Sequence, residues 1–462
     1  MGEVTLSGSI LVVFFICLLA VVCFEFVNGF HDTANAVATV IYTKALKPVY
    51  AIPWSGMWNF LGVFLGGVAV AMGILKLLPL DDLMTLPISV GACMVLAVLL
   101  ASIIWNLGTW YLGIPCSSSH TLIGAMIGAS IGFTWYYGGA GVNWDKAKEI
   151  GLSLLISPLI GFGAAALLMY FLIHIVKAKA LFHIPKGEND TPPILIRLLL
   201  ITTCALVSFF HGSNDGQKGV GLLMLILIAF MPLKFAVNHT ISNDKILFSL
   251  NKTEQVFTHI TSPSATIKGV ILKLDSSIVK TKSMLSSTNP GDTVKTYKFR
   301  KSIKSVLKGL TALTTDKDLK LANQDREALT VASKDLTKIT DFAPIWVIAI
   351  ISISLGIGTM VGWKRIVVTI GEKIGNEHLN YAQGATAEIV AAATIGLSTS
   401  FGLPVSTTHV LSSGIAGSMA ASGGASNLNT KTLKNIGLAW ILTLPVAIIL
   451  ALLFFMFFHL FI

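Results

Sequence analysis

The chain has 462 residues, of which 12% are charged and 54% hydrophobic, and carries a formal net charge of +10. A soluble domain holds about 25% charged residues, so a water-soluble globular protein is excluded. The basic balance is local: residues 234–341 hold 18 of the 33 Lys and Arg and 10 of the 23 Asp and Glu, and with no nucleic-acid-binding motif beside the charge, no nucleic-acid partner is expected.

The first apolar stretch, 9–24, has no Lys or Arg before it and no small-residue cleavage site after it, so it is expected to span a membrane rather than act as a signal peptide. Further apolar runs lie at 88–105, 151–173, 222–230 and 436–462. Crossing the hydrocarbon layer takes roughly 20 residues, and the pattern predicts about ten crossings in an all-α integral membrane protein. The five cysteines lie in or beside these runs without a CxxC spacing and are expected to be small buried hydrophobes.

Two internal matches organise the chain. The segment 28–36 (NGFHDTANA) aligns with 211–219 (HGSNDGQKG) at an offset of 183, pairing Gly29 with Gly212 and Asp32 with Asp215. The segment 115–128 (PCSSSHTLIGAMIG) aligns with 404–417 (PVSTTHVLSSGIAG) at an offset of 289, pairing the prolines, three hydroxyl residues and His120 with His409; Gly113 pairs with Gly402 just upstream. The offsets differ by 106 residues, which the polar segment 234–341 supplies. The expected organisation is therefore a first membrane repeat at 1–180 and a second that starts at 190–233, is interrupted by a helical, basic insert at 234–341, and resumes at 342–462. Each repeat is predicted to hold about five transmembrane segments, near 9–43, 50–75, 86–112, 116–137 and 150–177 in the first, with broken or re-entrant helices. The odd number makes the repeats inverted. Lys44, Lys47, Lys177, Lys179, Lys186 and Arg197 predict a cytoplasmic loop between the repeats and a periplasmic N-terminus. Parity then places the insert outside.

Polar groups within membrane segments are costly and mark function. Glu25, Asn28, Asp32 and Asn35 fall at spacings of 3, 4 and 3, one face of a helix. The second copy places Ser208, His211, Asp215 and Lys218 at the same spacings, with Asn214 beside the acid. The hydroxyl motifs, Ser117, Ser118 and Ser119 in one copy and Ser406, Thr407 and Thr408 in the other, follow a Gly-x-Pro break and open a new helix. Helix starts present unpaired N–H groups and a positive dipole end, and hydroxyls add donors; two such starts suit a tetrahedral oxyanion. His31, His120, His211 and His409 also lie in the motifs; the repeat-equivalent pair His120 and His409 is open to three roles, as proton relays, as metal ligands or as hydrogen-bond partners of the breaks. Lys218 stands where the first copy has Asn35, either as the ion-pair partner of Asp215 or in the place of a bound cation. Glu388, in an apolar stretch without a repeat counterpart, is a further candidate. The glycines at 62, 66, 67, 358 and 362 predict close helix packing.

At these residues the chain resembles the PiT family of inorganic phosphate transporters, and most of all its bacterial low-affinity Pit type, which shares the stretches 28–43, 104–125, 211–219 and 404–413. The resemblance implies a secondary active transporter, not an enzyme, importing inorganic phosphate across a bacterial-type inner membrane. It places substrate at Asn28, Asp32, Asn214, Asp215 and the six hydroxyl residues, and coupling ions or protons at Glu25, His31, Asn35, His120, Lys218 and His409. The wider family's signature, with Asn ahead of the Asp and a later Asn, is altered by His31 in one copy and Lys218 in the other. This implies protons rather than sodium as the coupling partner, with phosphate free or as a divalent-metal complex. No cofactor is expected, the lipid bilayer is the solvent, and a homodimer is carried as a possible assembly. Sodium coupling, sulfate as cargo and a passive anion channel remain the competing readings.

Overall fold

The computed structural model describes residues 8–83, 86–139, 141–187, 190–260, 264–286, 293–316, 319 and 321–462, the side chains of 33–35, 81, 286, 293 and 294 excepted. It is helical, as the sequence predicts; among the described residues the only extended pairing is a bridge between Gly375 and Leu428. In chain order the main helices are α1 (Gly8–Tyr42), α2 (Pro48–Leu65), α3 (Ala69–Leu75), α4 (Ile88–Tyr111), α5 (Ser118–Tyr137), α6 (Trp144–Phe171), α7 (Ile194–His211), α8 (Gln217–Phe230), α9 (Asn243–His259), α10 (Ala265–Ser286), α11 (Thr293–Thr315), α12 (Asn323–Thr340), α13 (Ile345–Thr359), α14 (Lys364–Glu372), α15 (Tyr381–Ser400), α16 (Thr407–Gly423) and α17 (Thr430–His459). They divide into two compact units, one of Val12–Ile226 with Ala343–Ile462, the other centred on Leu227–Phe342.

The larger unit carries the membrane helices. Five helical spans among the described residues are individually long and apolar enough to cross a membrane: α1, α4, Trp144–Val176, Ile194–Phe230 and α17. Counting each of two bent pairs as one span raises the number to seven; α2 and α3 form one of them, bent by 71°. The remaining crossings expected from the sequence fall on α5, α15 and α16, whose Gly-, Ser- and Thr-rich faces are almost wholly buried. Helices surrounded by protein need no apolar coat. By contrast α6 and α17 expose Leu152, Leu155, Leu159, Leu167, Ile441, Ile449 and Leu453, as lipid-facing helices do.

Local sequence fixes the breaks. Gly113 and Gly402, paired in the repeat, both take a φ of +66°, which side chains disfavour, and they end the preceding helices: Ile114 N–H donates back to the carbonyl oxygen of Thr109 and Leu403 N–H to that of Ser398, with the prolines just beyond. Ser117 and Ser406 then cap α5 and α16, accepting from the backbone N–H of His120 at 3.2 Å and of His409 at 3.1 Å. The last helix of each copy starts on an Asn cap, Asn143 for α6 and Asn429 for α17.

The two copies pack reciprocally. The last helix of one lies on the hydroxyl-motif helix of the other: α6 on α16 and α17 on α5. Close approach depends on glycine. A Cβ at Gly62 would stand 2.0 Å from the carbonyl oxygen of Phe209, and one at Gly358 would stand 2.2 Å from that of Phe26. A Cβ at Gly212 would stand 2.2 Å from the oxygen of Asn59, and one at Gly29 would stand 2.5 Å from that of Leu355. Gly62 maps onto Gly358 and Asn59 onto Leu355 at one offset, and Phe26 maps onto Phe209 and Gly29 onto Gly212 at another. Each contact therefore occurs twice with the partners exchanged.

The smaller unit has its own core. Ile267, Leu274 and Ile278 on α10, Ile303, Val306, Leu310 and Leu313 on α11, and Leu329, Leu336 and Ile339 on α12 are buried together. Their spacing of three, four or seven is one face of each helix. Arg300 is buried and bonds the carbonyl oxygens of Ala236 and, at 2.9 Å, Thr340, giving the last turn of α12 the cation that a helix C-terminus favours.

Candidate functional site

The residues of both motifs meet in the larger unit, and nearly all are buried from solvent. Asp32, on α1, is approached by hydroxyls from both copies: Ser118 at 2.8 Å on Oδ2 and Thr408 at 2.8 Å on Oδ1. His31 Nδ1 lies 3.1 Å from Asp32 Oδ1, and its Nε2 lies 3.2 Å from Thr109. Asp215 lies in a single π-helical turn, Gly212–Gly216, between α7 and α8, an irregularity frequent at functional sites. Lys218 Nζ is 2.7 Å from Asp215 Oδ2 and donates to Ser119 at 2.6 Å, and Ser119 in turn donates to the carbonyl oxygen of Val405 at 2.6 Å.

Ser118 joins the two acids. Its hydroxyl is 2.8 Å from Asp32 and 3.2 Å from Asp215. One hydroxyl has one proton, so it serves a single carboxylate at a time. His211 Nε2 stands between them, 3.8 Å from Asp32 and 3.7 Å from Asp215, with Nδ1 against Asn59 at 2.7 Å. Asp32, His211 and Asp215 offer ligand atoms within 4.8 Å of one another, close enough to share a metal ion.

The other expected residues surround this centre. Asn28 donates to Glu25 at 3.3 Å. Asn214 donates to Thr399 and to the carbonyl oxygen of Leu403, and accepts from Val405 N–H, so it anchors the second break. Ser117 holds His120 Nδ1 at 2.8 Å as well as capping α5. The His120 and His409 rings are 4.5 Å apart, and His409 stacks on Trp440 at 3.9 Å. Buried atoms without a hydrogen-bond partner include Asp215 Oδ1, Thr407 Oγ1, His409 Nε2, Asn28 Oδ1 and Glu25 Oε1. The Asn35 side chain lies outside the described residues. Glu388 forms a separate cluster, accepting from Thr39 and Thr203 on other helices. Asn59, Thr109 and Trp440 were not singled out in the sequence. Each lies in a largely apolar helix, outside the motifs that the sequence repeats, and only tertiary packing gives it a partner.

A buried set of acids, a lysine and paired helix starts, inside a bundle whose outer helices face lipid, defines a polytopic membrane transporter. The chain belongs to the phosphate transporter family, whose profile matches residues 28–451. It is 40% identical over 96% of its length, and 96% of the relative's, to a low-affinity inorganic phosphate transporter of Buchnera aphidicola subsp. Acyrthosiphon pisum. It is 38% identical to the low-affinity inorganic phosphate transporters PitB and PitA of Escherichia coli K12, with 94% of each chain covered. A solved sodium-dependent phosphate transporter shares the fold at a TM-score of 0.56 and 20% identity, covering 98% of this chain and 100% of that one.

Proposed function

We propose that this protein imports inorganic phosphate across a bacterial-type inner membrane by proton symport, between two inverted repeats, 1–180 and 190–462, the second interrupted by 234–341. The observation that carries this reading is the charge balance at Ser118: two carboxylates, one shared hydroxyl proton and one fixed ammonium, Lys218. With neutral histidines the centre is net negative. Like charges about 4 Å apart repel by about 4 kcal/mol at an effective dielectric near 20, so a phosphate anion enters only with compensating positive charge. Protons on the carboxylates or on His31 and His211 supply it. Ser118, Ser119, Thr407, Thr408, the capping residues Ser117 and Ser406, and the N–H groups of α5 and α16 then cradle the oxyanion. Asn28 and Asn214 line the cradle; Glu25, Asn35, His120 and His409 hold or pass protons.

A second reading, in which the cargo is a divalent-metal phosphate complex, is favoured by the convergence of Asp32, His211 and Asp215. Their oxygen and imidazole donors suit such an ion. Sodium is disfavoured because Lys218 already occupies the cation position beside Asp215. Labelled phosphate uptake into proteoliposomes tests the assignment. Uptake is expected in sodium-free medium under an inward proton gradient, with Lys218→Asn gaining sodium dependence. Uptake that vanishes without sodium and returns on its addition would overturn proton coupling.

A further inference from the structure

One cavity away from the acids has a composition of its own. It is lined by Trp110 and Tyr111 at the end of α4 and by Trp363, Lys364, Arg365 and Lys373 around α14, and no acidic residue lines it. Lys364, Arg365 and Lys373 are exposed. Arg365 lies over both aromatic rings, 5.1 Å from the centroid of Trp110 and 4.8 Å from that of Tyr111, and donates to the Tyr111 carbonyl oxygen at 2.6 Å. The aromatic pair thus holds the guanidinium in one orientation. Trp110 is itself fixed by donation to the Gly362 carbonyl oxygen at 2.7 Å. Of the three cations only Arg365 is held in place; the lysine ammonium groups have no acidic partner among the described residues.

Two exposed apolar stripes end at this cleft. On α4, Ile104, Leu107 and Tyr111 recur at spacings of three and four; on α13 and just beyond it, Ile350, Ile353, Ile357 and Met360 do the same. These spacings keep each stripe on one helix face. An apolar track leading to a cluster of Trp, Tyr, Lys and Arg is the arrangement found where a helix leaves the hydrocarbon for the headgroup layer. A soluble anion has no use for the stripes.

We propose that this cleft binds an anionic phospholipid, its phosphodiester against Arg365, Lys364 and Lys373 and its acyl chains along the stripes of α4 and α13. The guanidinium fork matches phosphate oxygens in pairs. The ammonium groups add the charge preference that separates anionic from zwitterionic lipid. The cleft is also joined to the central site. Thr109, one residue before Trp110, bonds His31, and Phe30 packs on Trp110 with centroids 5.1 Å apart. Bound lipid therefore steadies the segment that carries His31 and Asp32.

The test is quenching of the intrinsic tryptophan fluorescence of the purified full-length protein in vesicles. Brominated phosphatidylglycerol is compared with brominated phosphatidylcholine, each at the same mole fraction in unlabelled phosphatidylcholine. Stronger quenching by the anionic lipid is expected, with the preference lost in the Lys364→Gln, Arg365→Gln, Lys373→Gln variant. Each basic residue is worth roughly fivefold in affinity for an anionic headgroup, so the variant's preference is expected to fall on the order of 100-fold at low salt. Equal quenching by both lipids in the unmodified protein overturns the proposal. So does an anionic preference unchanged in the variant, which would locate lipid elsewhere. Displacement of the quencher by inorganic phosphate, but not by chloride of equal ionic strength, assigns the cleft to free phosphate and overturns the lipid assignment. A circular-dichroism melt distinguishes a misfolded variant, in which case the single Lys373→Gln change is expected to reproduce a fivefold part of the effect. None of these readouts depends on transport, so they stand or fall apart from the proposed coupling.

Discussion

Asp32 and Asp215 occupy the same position in the two copies, yet they keep different company. Asp32 sits in a continuous α-helix and takes hydroxyl donors from both copies and a flanking histidine. Asp215 sits in a π-helical turn, spends one oxygen on Lys218 and leaves the other without a hydrogen bond. The contrast separates two aspects of the internal match. The scaffold is held in common, since the glycine contacts recur with partners exchanged. The charges are not, and a function that depends on them uses the copies unequally.

The largest expected effect comes from breaking the charged copy. Asp215→Asn leaves Lys218 buried without its acid, and removing one partner of a buried pair costs about 3–5 kcal/mol. Asp32→Asn strands no cation and is expected to cost less, because the amide oxygen still accepts from one of Ser118 and Thr408, which bond different oxygens of Asp32, while the amide NH2 can donate to the other hydroxyl. Both changes are expected to abolish phosphate uptake. Thermal unfolding in detergent and uptake in proteoliposomes read the two effects separately. Adding Lys218→Met to Asp215→Asn should restore the melting temperature but not transport. If Asp32→Asn proves as destabilising as Asp215→Asn, the two acids are not used unequally in the way their neighbours imply.

The common scaffold is tested next. Gly62→Ala and Gly358→Ala each drive a methyl group into a backbone carbonyl on the other copy, 2.0 Å and 2.2 Å away by ideal geometry. Overpacking of this kind costs about 1–3 kcal/mol, and the two variants should lose similar stability. Gly108, which has open space where its Cβ would be, is the control, and Gly108→Ala is expected to stay within about 0.5 kcal/mol of the parent. A large loss in one of the paired variants alone would show that the reciprocal contacts carry unequal weight.

Much of this was legible in the sequence, for a definite reason. Two segments recur in the sequence, so Asp32 with Asp215, Gly113 with Gly402 and the two hydroxyl runs stand out by comparison with themselves. The all-helical membrane fold followed from composition. The count of crossings rests on the internal match as well, because α5, α15 and α16 are clothed by protein and carry a weak apolar signal. Contacts made by unrepeated residues were also silent. Asn59 against His211, Thr109 against His31, and Thr39 and Thr203 against Glu388 join helices far apart in the chain, and no periodicity records which helix will be a neighbour. Lys218 was visible as a departure from its repeat partner, but its bond to Ser119, which ties the acid motif of one copy to the hydroxyl motif of the other, was not.

The smallest expected effect discriminates most finely, because it contrasts two hydroxyls at the same position of the shared motif, one from each copy. Ser118 bridges both carboxylates, and a hydrogen bond to a charged group is worth about 1.5–3 kcal/mol. Thr407, from the other copy, is buried with its Oγ1 unpartnered, so it contributes no hydrogen bond that truncation would remove. Ser118→Ala is therefore expected to lower the melting temperature and to weaken transport together. Thr407→Val preserves the shape and removes only the hydroxyl. Its stability should be unchanged or slightly raised, since a desolvated, unsatisfied oxygen is lost. If that oxygen is reserved for phosphate, the same change deletes a neutral hydrogen bond worth about 0.5–1.5 kcal/mol, and the KM for phosphate should rise by roughly two- to twelvefold. The pair of readouts separates the roles: a melting temperature that falls with Thr407→Val while KM holds would make this hydroxyl a structural element like Ser117, and the oxyanion cradle would then rest on backbone N–H groups.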